Sequence, residues 1–378
     1  MAGLTPSRKP FKYEKKSPNT LTNASGHPDI SEKHCLVYLQ NSLSLSRHSY
    51  PFSPNITIMI KILANDGIHS DAKMLLEEAG YLVDTEKVPQ DELAARLPVY
   101  DVIIVRSATK VRRSLIDLCP NLKIIARGGV GLDNIDHEYA RSQHIEVMNT
   151  PAASSEAVAE LAFGHMFTLA RSLHLANREM PRKGKQAFKA LKKAYSNGIQ
   201  LRGKTLGVIG FGRIGRETAR IGLGMGMHVL ASDPLIDEMS IGIDLFNNDQ
   251  IDLSVKLQTV GLDELLTRSD FISLHVPYTG SPVIGAEEFA KMKNGVIFIN
   301  CARGGTTDED ALIEALNSGK LAGAGIDVFE TEPSPRQELL EHDRVSLSPH
   351  IGAATLEAQR NIGLELADRI IAFFGDDK

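Results

Sequence analysis

Three polar side chains follow short apolar runs late in the chain. They are Arg303 in Asn300-Cys301-Ala302-Arg303-Gly304-Gly305, Glu332 in Asp327-Val328-Phe329-Glu330-Thr331-Glu332-Pro333, and His350 in Ser348-Pro349-His350-Ile351-Gly352. A guanidinium is permanently charged and forked, so it can hold a carboxylate and polarise an adjacent carbonyl. Imidazole exchanges protons near neutral pH, which suits a hydroxyl that is becoming a carbonyl. A carboxylate against the second ring nitrogen would fix the tautomer and steady the imidazolium. Singly, each has an ordinary role open to it: His350 as a helix cap, Arg303 as the partner of an exposed acid, Glu332 as a solvated loop charge. Cys301 has no base beside it in sequence and reads as packing rather than as a nucleophile. No His, Cys and carboxylate grouping has metal-site spacing, so no metal is expected.

Oxidation of that kind needs an electron acceptor, and Lys204 to Gly215 offers a place for one. The apolar run Leu206 to Ile209 leads into Gly210-x-Gly212-x-x-Gly215, after which the pattern turns helical. In such a strand-turn-helix the first glycine reverses the backbone and the second leaves room for a pyrophosphate. The third lets helix and strand pack closely, and the free N–H groups of the new helix face the phosphates. The next strand, from His228, ends in Asp233, about the 20 residues downstream at which a carboxylate meets a ribose 2'-hydroxyl. An acid there argues for NAD over NADP, since a 2'-phosphate would meet a like charge.

The rest of the chain must position these groups. From Ile60, short apolar strands (Ile60 to Ala64, Tyr81 to Val83, Val102 to Val105, Lys123 to Ala126, Ile145 to Met148) alternate with helix-length segments, the signature of a parallel sheet. Their ends carry Arg106-Ser107-Ala108-Thr109, Arg127-Gly128-Gly129-Val130-Gly131 and Asn149-Thr150-Pro151. Ligands of open α/β sheets bind at the carboxyl ends of strands, so these turns should face a cleft. Ser155 to Leu173 predicts one long helix leading into the glycine-motif region. The basic residues Arg182 to Lys193 then form an exposed arm, either a solvated face or help in gathering an anion. Further strands are expected at Leu206, His228, Val260, Phe271, Val296, Ala322 and Val345. Thr307 starts a helix that Gly319 ends, and a closing helix from about Thr355 to Phe374 returns to the first sheet. Residues 236–257 read as a polar connection without assigned structure. The expected fold is α/β with two doubly wound parallel-sheet domains. A dinucleotide-binding domain (154–348) is inserted into a discontinuous substrate domain (59–153 and 349–378).

Composition agrees with a soluble two-domain protein: 378 residues, 42% hydrophobic and 24% charged. No apolar run is long enough to span a bilayer, so no membrane partner is expected. Three scattered cysteines, Cys35, Cys119 and Cys301, fit no disulfide framework, which suggests a reducing, cytoplasmic setting. Residues 1–58 hold seven Lys/Arg against three acids, leaving the remainder at −9 of the net −5. A body that acidic is a poor partner for nucleic acid. Residues 1–58 are expected to be disordered. They read as a leader or as an extension upstream of a start at Met59, the second being favoured because a strand opens there at once.

The ordered motifs G-F-G-R-I-G, H-V-P, N-C-A-R-G-G, G-I-D-V-F-E-T-E-P and S-P-H-I-G-A resemble those of the D-isomer-specific 2-hydroxyacid dehydrogenase family, over essentially Met59 to Phe374. The resemblance implies that Arg303 anchors the substrate, His350 is the acid/base and Glu332 its partner. It implies NAD contacts at Gly210, Gly212, Arg213, Ile214, Gly215, Asp233, Val276, Cys301, Ala302, Asp327, Gly352 and Ala353. Val130 stands there too, where relatives often carry threonine. Within the family, R-S-A-T-K-V, G-G-V-G-L-D-N-I-D and N-T-P are most similar to members acting on a phosphorylated acid, which makes Arg106, Ser107, Arg127, Gly128 and Gly129 the expected substrate contacts. Reduction of hydroxypyruvate or glyoxylate is the enzymatic rival, and an NAD-sensing binding protein is the rival of another class. Family members are typically homodimers, and the helix after Ser155 would supply the contact. Longer relatives carry a C-terminal regulatory domain, so feedback through one is not expected for a chain ending at Lys378.

Overall fold

The computed structural model describes residues 59–243 and 253–375. The expected disordered extension lies outside the described residues. Strands β1 (Lys61–Ala64), β2 (Leu82–Asp84), β3 (Val102–Val105), β4 (Ile124–Arg127) and β5 (Glu146–Asn149) form a parallel sheet in the order β2-β1-β3-β4-β5. A second parallel sheet runs β13-β12-β11-β10-β6-β7, from β6 (Thr205–Ile209), β7 (His228–Ser232), β10 (Phe271–Leu274), β11 (Val296–Asn300), β12 (Leu321–Ile326) and β13 (Val345–Leu347). Both are doubly wound α/β sheets, the fold class expected. Parallel strands covered on both faces need apolar side chains on both, and β3 and β10 are buried at every position.

The helices sort the two cores. In the first sheet Ile62, Val102 and Ile124 pack with Leu366, Ala367, Ile370 and Phe374 of helix α6 (Leu356–Gly375), so α6 returns to cover the first sheet. Gly363 makes that possible: a Cβ there would lie 2.9 Å from Ala72 of α1 (Ser70–Glu78). In the second sheet Ala162, Phe163 and Met166 of α2 (Ser155–Ala170) pack with Leu206, Val208 and Ala219, the last on α4 (Arg213–Gly224). The opposite face buries Leu312 and Leu316 of α5 (Glu309–Asn317) with Ile272, Phe298 and Ala324.

Four local expectations need correction. The helix from Ser155 stops at Ala170, because Ser172 takes a left-handed φ of 50°. A second helix, α3 (Leu173–Ala194), follows, with non-helical geometry at Ala187 and Leu191 as its only buried residue. The basic stretch is therefore helical, as its Lys, Arg and Ala content favours. No strand forms at Val260; Thr259 makes one isolated parallel bridge to Ala231, a vestige of a further strand beside β7. The connection at 236–257 contains the antiparallel pair β8 (Glu238–Ile243) and β9 (Leu253–Gln258). Finally, Asp308 rather than Thr307 caps α5, its carboxylate accepting the Ala311 N–H at 3.0 Å, while Thr307 is held by Asn300.

Candidate active site

One pocket collects the strand ends of both sheets. It is lined by Arg106, Ser107, Arg127, Gly128, Gly129 and Val130 from the first, and by Ile214, Cys301, Ala302, Arg303, Asp327, His350, Gly352 and Ala353 from the second. Glu332 stands behind His350 on the neighbouring apolar groove. Gly210, Gly212, Gly215, Asp233 and Val276 belong instead to the glycine turn, and Arg213 lines a separate groove beside Ser155 and Glu156.

The first sheet's turns are gripped by backbone-directed polar groups. Asp66 accepts the N–H of Arg106 at 2.7 Å and of Thr109 at 3.1 Å, and the Asn134 side chain donates to the Arg106 carbonyl at 2.8 Å. The Gly129 N–H donates to Thr150 Oγ1 at 2.8 Å, and Asn149 donates to the Val130 carbonyl at 2.7 Å. Gly129 has φ +139°, and a Cβ there would lie 1.8 Å from Arg127 Nη1, so the glycine makes the space the guanidinium fills. Arg127 is largely enclosed, and its Nε has no partner among the described residues. Burial, then the charge of Arg303 and more weakly that of Arg106, push its guanidinium down to about 10, so it stays charged at neutral pH. Three like charges around one cavity, one with an unsatisfied donor, are an incomplete arrangement that an anion would complete.

On the second sheet, Asn300 holds the turn that carries Arg303. It accepts the Ala302 N–H at 3.0 Å and donates to Thr306 and Thr307 Oγ1 at 3.2 and 3.1 Å. Arg303 Nε reaches Asp133 Oδ2 at 3.4 Å, a contact from one sheet's turn to the other's. Gly131 permits the crossing, since a Cβ there would lie 2.4 Å from Arg303 Nη2. Gly304 similarly lets the next loop close in: its Cβ would lie 1.8 Å from the Phe329 carbonyl. That loop brings Glu332, whose Oε1 accepts the Phe329 N–H at 3.1 Å and whose Oε2 lies 2.8 Å from His350 Nδ1. A carboxylate can only accept, so Nδ1 carries the proton and Nε2 remains able to take or give one. Cys301 is buried, and burial pushes its thiol well above the usual range, so it is no nucleophile.

The glycine turn fits a dinucleotide. Gly210 has φ +89°, and a Cβ there would lie 2.6 Å from the His275 carbonyl; a Cβ on Gly215 would lie 2.0 Å from the Gly210 carbonyl. Gly212 faces open space and sits at the N-terminus of α4, where unpaired N–H groups and the dipole favour phosphate. Asp233 accepts the Phe211 N–H at 2.7 Å and the Leu235 N–H at 2.9 Å, which fixes its carboxylate at the end of β7. Val276 packs against the turn, its Cγ1 2.8 Å from the Cβ position of Gly210.

Sequence reasoning gave no task to the residues that hold these turns: Asp66, Asp133, Asn134 and Asn300, together with Asn65, which donates to Thr109 Oγ1 at 2.8 Å, and Ser348 and His165, whose side chains lie 2.9 Å apart beneath His350. Asp133, Asn134, Asn300 and Ser348 lay within quoted motifs without a stated task. A buried polar residue between apolar neighbours, as at Asn300, was the signal that could have found one of them. Among the described residues no group of His, Cys, Asp and Glu could hold a metal, and no helix is long and apolar enough to cross a membrane.

Two parallel sheets whose strand ends share one pocket beside a glycine turn define a two-domain, nucleotide-dependent α/β enzyme. Residues 163–352 match the family profile described as D-isomer specific 2-hydroxyacid dehydrogenase, NAD binding domain. The chain is 46% identical over 321 residues to the hydroxypyruvate reductase of Thermotoga maritima, covering 83% of this chain and 98% of that one. It is 43% identical to the D-3-phosphoglycerate dehydrogenase of Methanocaldococcus jannaschii, over 82% of this chain and 57% of that longer one. The crystal structure of the Aquifex aeolicus D-lactate dehydrogenase complexed with NAD and lactic acid superposes with a TM-score of 0.63 at 32% identity, covering 84% of this chain and 96% of that one. The chain belongs to the D-isomer-specific 2-hydroxyacid dehydrogenase family and carries its NAD-binding domain.

Proposed function

We propose that the protein catalyses NAD-linked oxidation of 3-phospho-D-glycerate to 3-phosphohydroxypyruvate, the entry to serine synthesis. One observation carries the choice of a phosphorylated acid: Arg127, enclosed and with Nε unpartnered, stands with Arg106 and Arg303 around the pocket. Even with Asp133 3.4 Å from Arg303 Nε, three guanidiniums exceed what a single carboxylate needs, and a phosphate dianion beside a carboxylate would match them.

In this reading Arg303 holds the substrate carboxylate and the C2 oxygen, which builds up as a carbonyl. Arg106 and Arg127 take the phosphate with Ser107 beside them, while Gly128 and Gly129, whose N–H groups are held by the Val105 carbonyl and Thr150 Oγ1, leave the space the substrate enters. His350 Nε2 takes the hydroxyl proton, and Glu332, already on Nδ1, stabilises the imidazolium that forms. Gly210, Gly212, Arg213, Ile214 and Gly215 hold the pyrophosphate, Asp233 the ribose, and Val130, Val276, Cys301, Ala302, Asp327, Gly352 and Ala353 the remaining length of NAD. When bound, NAD accepts the hydride from C2. The enzyme is expected to be a cytoplasmic homodimer joined through α2, without nucleic-acid or membrane partners.

A second reading, reduction of hydroxypyruvate or glyoxylate, is favoured by the Thermotoga maritima relative, which matches along nearly its whole length. Steady-state assays with 3-phospho-D-glycerate, D-glycerate, hydroxypyruvate and glyoxylate decide between them. The phosphate reading expects kcat/KM for 3-phospho-D-glycerate about 100-fold above D-glycerate, the scale set by a lost charged hydrogen-bond pair. Equal values would remove the phosphate assignment, and tight NAD binding without turnover of any acid would favour a sensing protein.

A further inference from the structure

His350 has φ 53°, a left-handed conformation rare for any residue but glycine. Asp327 holds it there. The Asp327 carbonyl accepts the His350 N–H at 2.8 Å, Oδ1 accepts the Ile351 N–H at 2.9 Å, and Oδ2 accepts the Gly352 N–H at 3.0 Å. One residue therefore takes three successive backbone donors, and the left-handed turn follows from satisfying them all.

Asp327 is itself fixed by a buried chain. Ser348 Oγ lies 2.6 Å from Asp327 Oδ1, His165 Nε2 lies 2.9 Å from Ser348 Oγ, and His165 Nδ1 lies 2.8 Å from Ser346 Oγ. All four side chains are buried. The proton order can be assigned. The carboxylate only accepts, so the single Ser348 proton goes to Asp327, and Ser348 can then only accept from His165. His165 Nε2 must therefore carry its proton, leaving Nδ1 to accept from Ser346. Burial lowers the His165 affinity for a second proton, in keeping with a neutral ring. Gly325 on β12 is shaped to this ring: a Cβ there would lie 2.6 Å from His165 Cβ.

We propose that His165 and Ser348 are positioning residues for the reaction. The ordered chain Ser346, His165, Ser348, Asp327 keeps the Asp327 carboxylate where it holds the Ile351 and Gly352 N–H groups, beside its own carbonyl on the His350 N–H, and so sets where the His350 ring stands. The proposal rests on the reading of His350 as acid/base, and its test separates the two.

The full chain is labelled with 15N-histidine, and the His165 signals are assigned by their disappearance in His165→Gln. A neutral ring with the proton on Nε2 is expected, and a proton on Nδ1 would overturn the chain. This readout is independent of turnover, so it stands even if wild-type protein or His350→Ala behaves in a way that refutes the acid/base reading. Kinetically, Ser348→Ala and His165→Leu should each lower kcat about 10- to 100-fold, the cost of a sub-ångström to ångström misplacement, measured with NAD saturating. Ser348→Thr, which retains the hydroxyl, and His165→Gln, which retains a donor and an acceptor, should recover most of kcat. If the rescuing variants are as slow as Ser348→Ala and His165→Leu, or if those two keep wild-type kcat while folded, the proposal is wrong.

Discussion

At the ends of β3 and β4 the pocket receives Arg106 and Arg127, and the turns are held by Asp66, Asn134 and Thr150 on the backbone and by a side-chain chain from Asn65 through Thr109 to Asp66. At the ends of β11, β12 and β13 it receives Arg303 and His350, and beneath them Asp327, Ser348 and His165 are joined side chain to side chain. The first region can only attract and orient, whereas the second can also move a proton. The difference teaches that equivalent sites on two sheets of similar winding are divided by chemistry. Both turns are fixed by buried donors and acceptors, and what the second adds is a carboxylate, Glu332, on the ring nitrogen of a group that can exchange a proton.

The sharpest way to break this division is at its reactive end. His350→Ala should lower kcat about 1,000-fold, the middle of the range for general acid–base catalysis, with NAD affinity by calorimetry nearly unchanged. A comparable loss of NAD binding would mean that the second region is a cofactor site alone. Arg303→Ala should damage kcat and KM together, with kcat/KM down about 100-fold, because Arg303 serves both orientation and polarisation. Removing only fixed charge should look different. Arg127→Met is expected to raise KM for 3-phospho-D-glycerate about 30-fold at near-constant kcat, while leaving glyoxylate reduction within about 3-fold. Asp233→Ala, remote from the reacting end, should raise KM for NAD about 10-fold and narrow the preference over NADP.

Acid should weaken the nucleotide-binding region through two imidazoles, His165 buried and His275 half-buried. His275 contacts Thr218 and Ser273 beneath the glycine turn, and burial pushes it down to about 3; burial lowers His165 as well. A folded-state value below the ordinary 6.5 means that the unfolded chain binds more protons as pH falls. Stability contributed by the neutral His275 ring is therefore present above pH 6.5 and declines toward about pH 3, at up to about 1.4 kcal/mol per pH unit. His275→Asn should remove close to one proton from the uptake on unfolding at pH 5, measured as the pH dependence of the urea midpoint. An unchanged slope would show that the ring is not neutral in the folded protein.

What the sequence made legible divides along the same line. Gly210, Gly212 and Gly215 follow a strand and open a helix within a few residues, so local pattern sufficed to place them. Arg106, Arg127, Arg303 and His350 end apolar runs, and the rule that ligands sit at carboxyl ends of parallel strands predicted that they would meet. The proton chain was not legible, because His165 lies in an apolar helix among core residues and nearly two hundred positions before Ser348. The β8–β9 pair was missed although Met239, Ile241 and Leu257 pack on the second sheet's core, because these few apolar positions are spread among polar ones, and α3 because Pro181 and Gly184 interrupt a basic run that its helix propensity nevertheless carries.

The central claim is that Arg127 on one sheet and Arg303 on the other hold the same substrate molecule. A double-mutant cycle with Arg127→Met and Arg303→Met, read as kcat/KM for 3-phospho-D-glycerate with NAD saturating, measures this directly. The two losses are expected to be coupled by at least about 1 kcal/mol more than with glyoxylate, whose cycle reports the direct interaction of the two guanidiniums. Couplings equal for the two substrates to within about 0.5 kcal/mol would contradict the account.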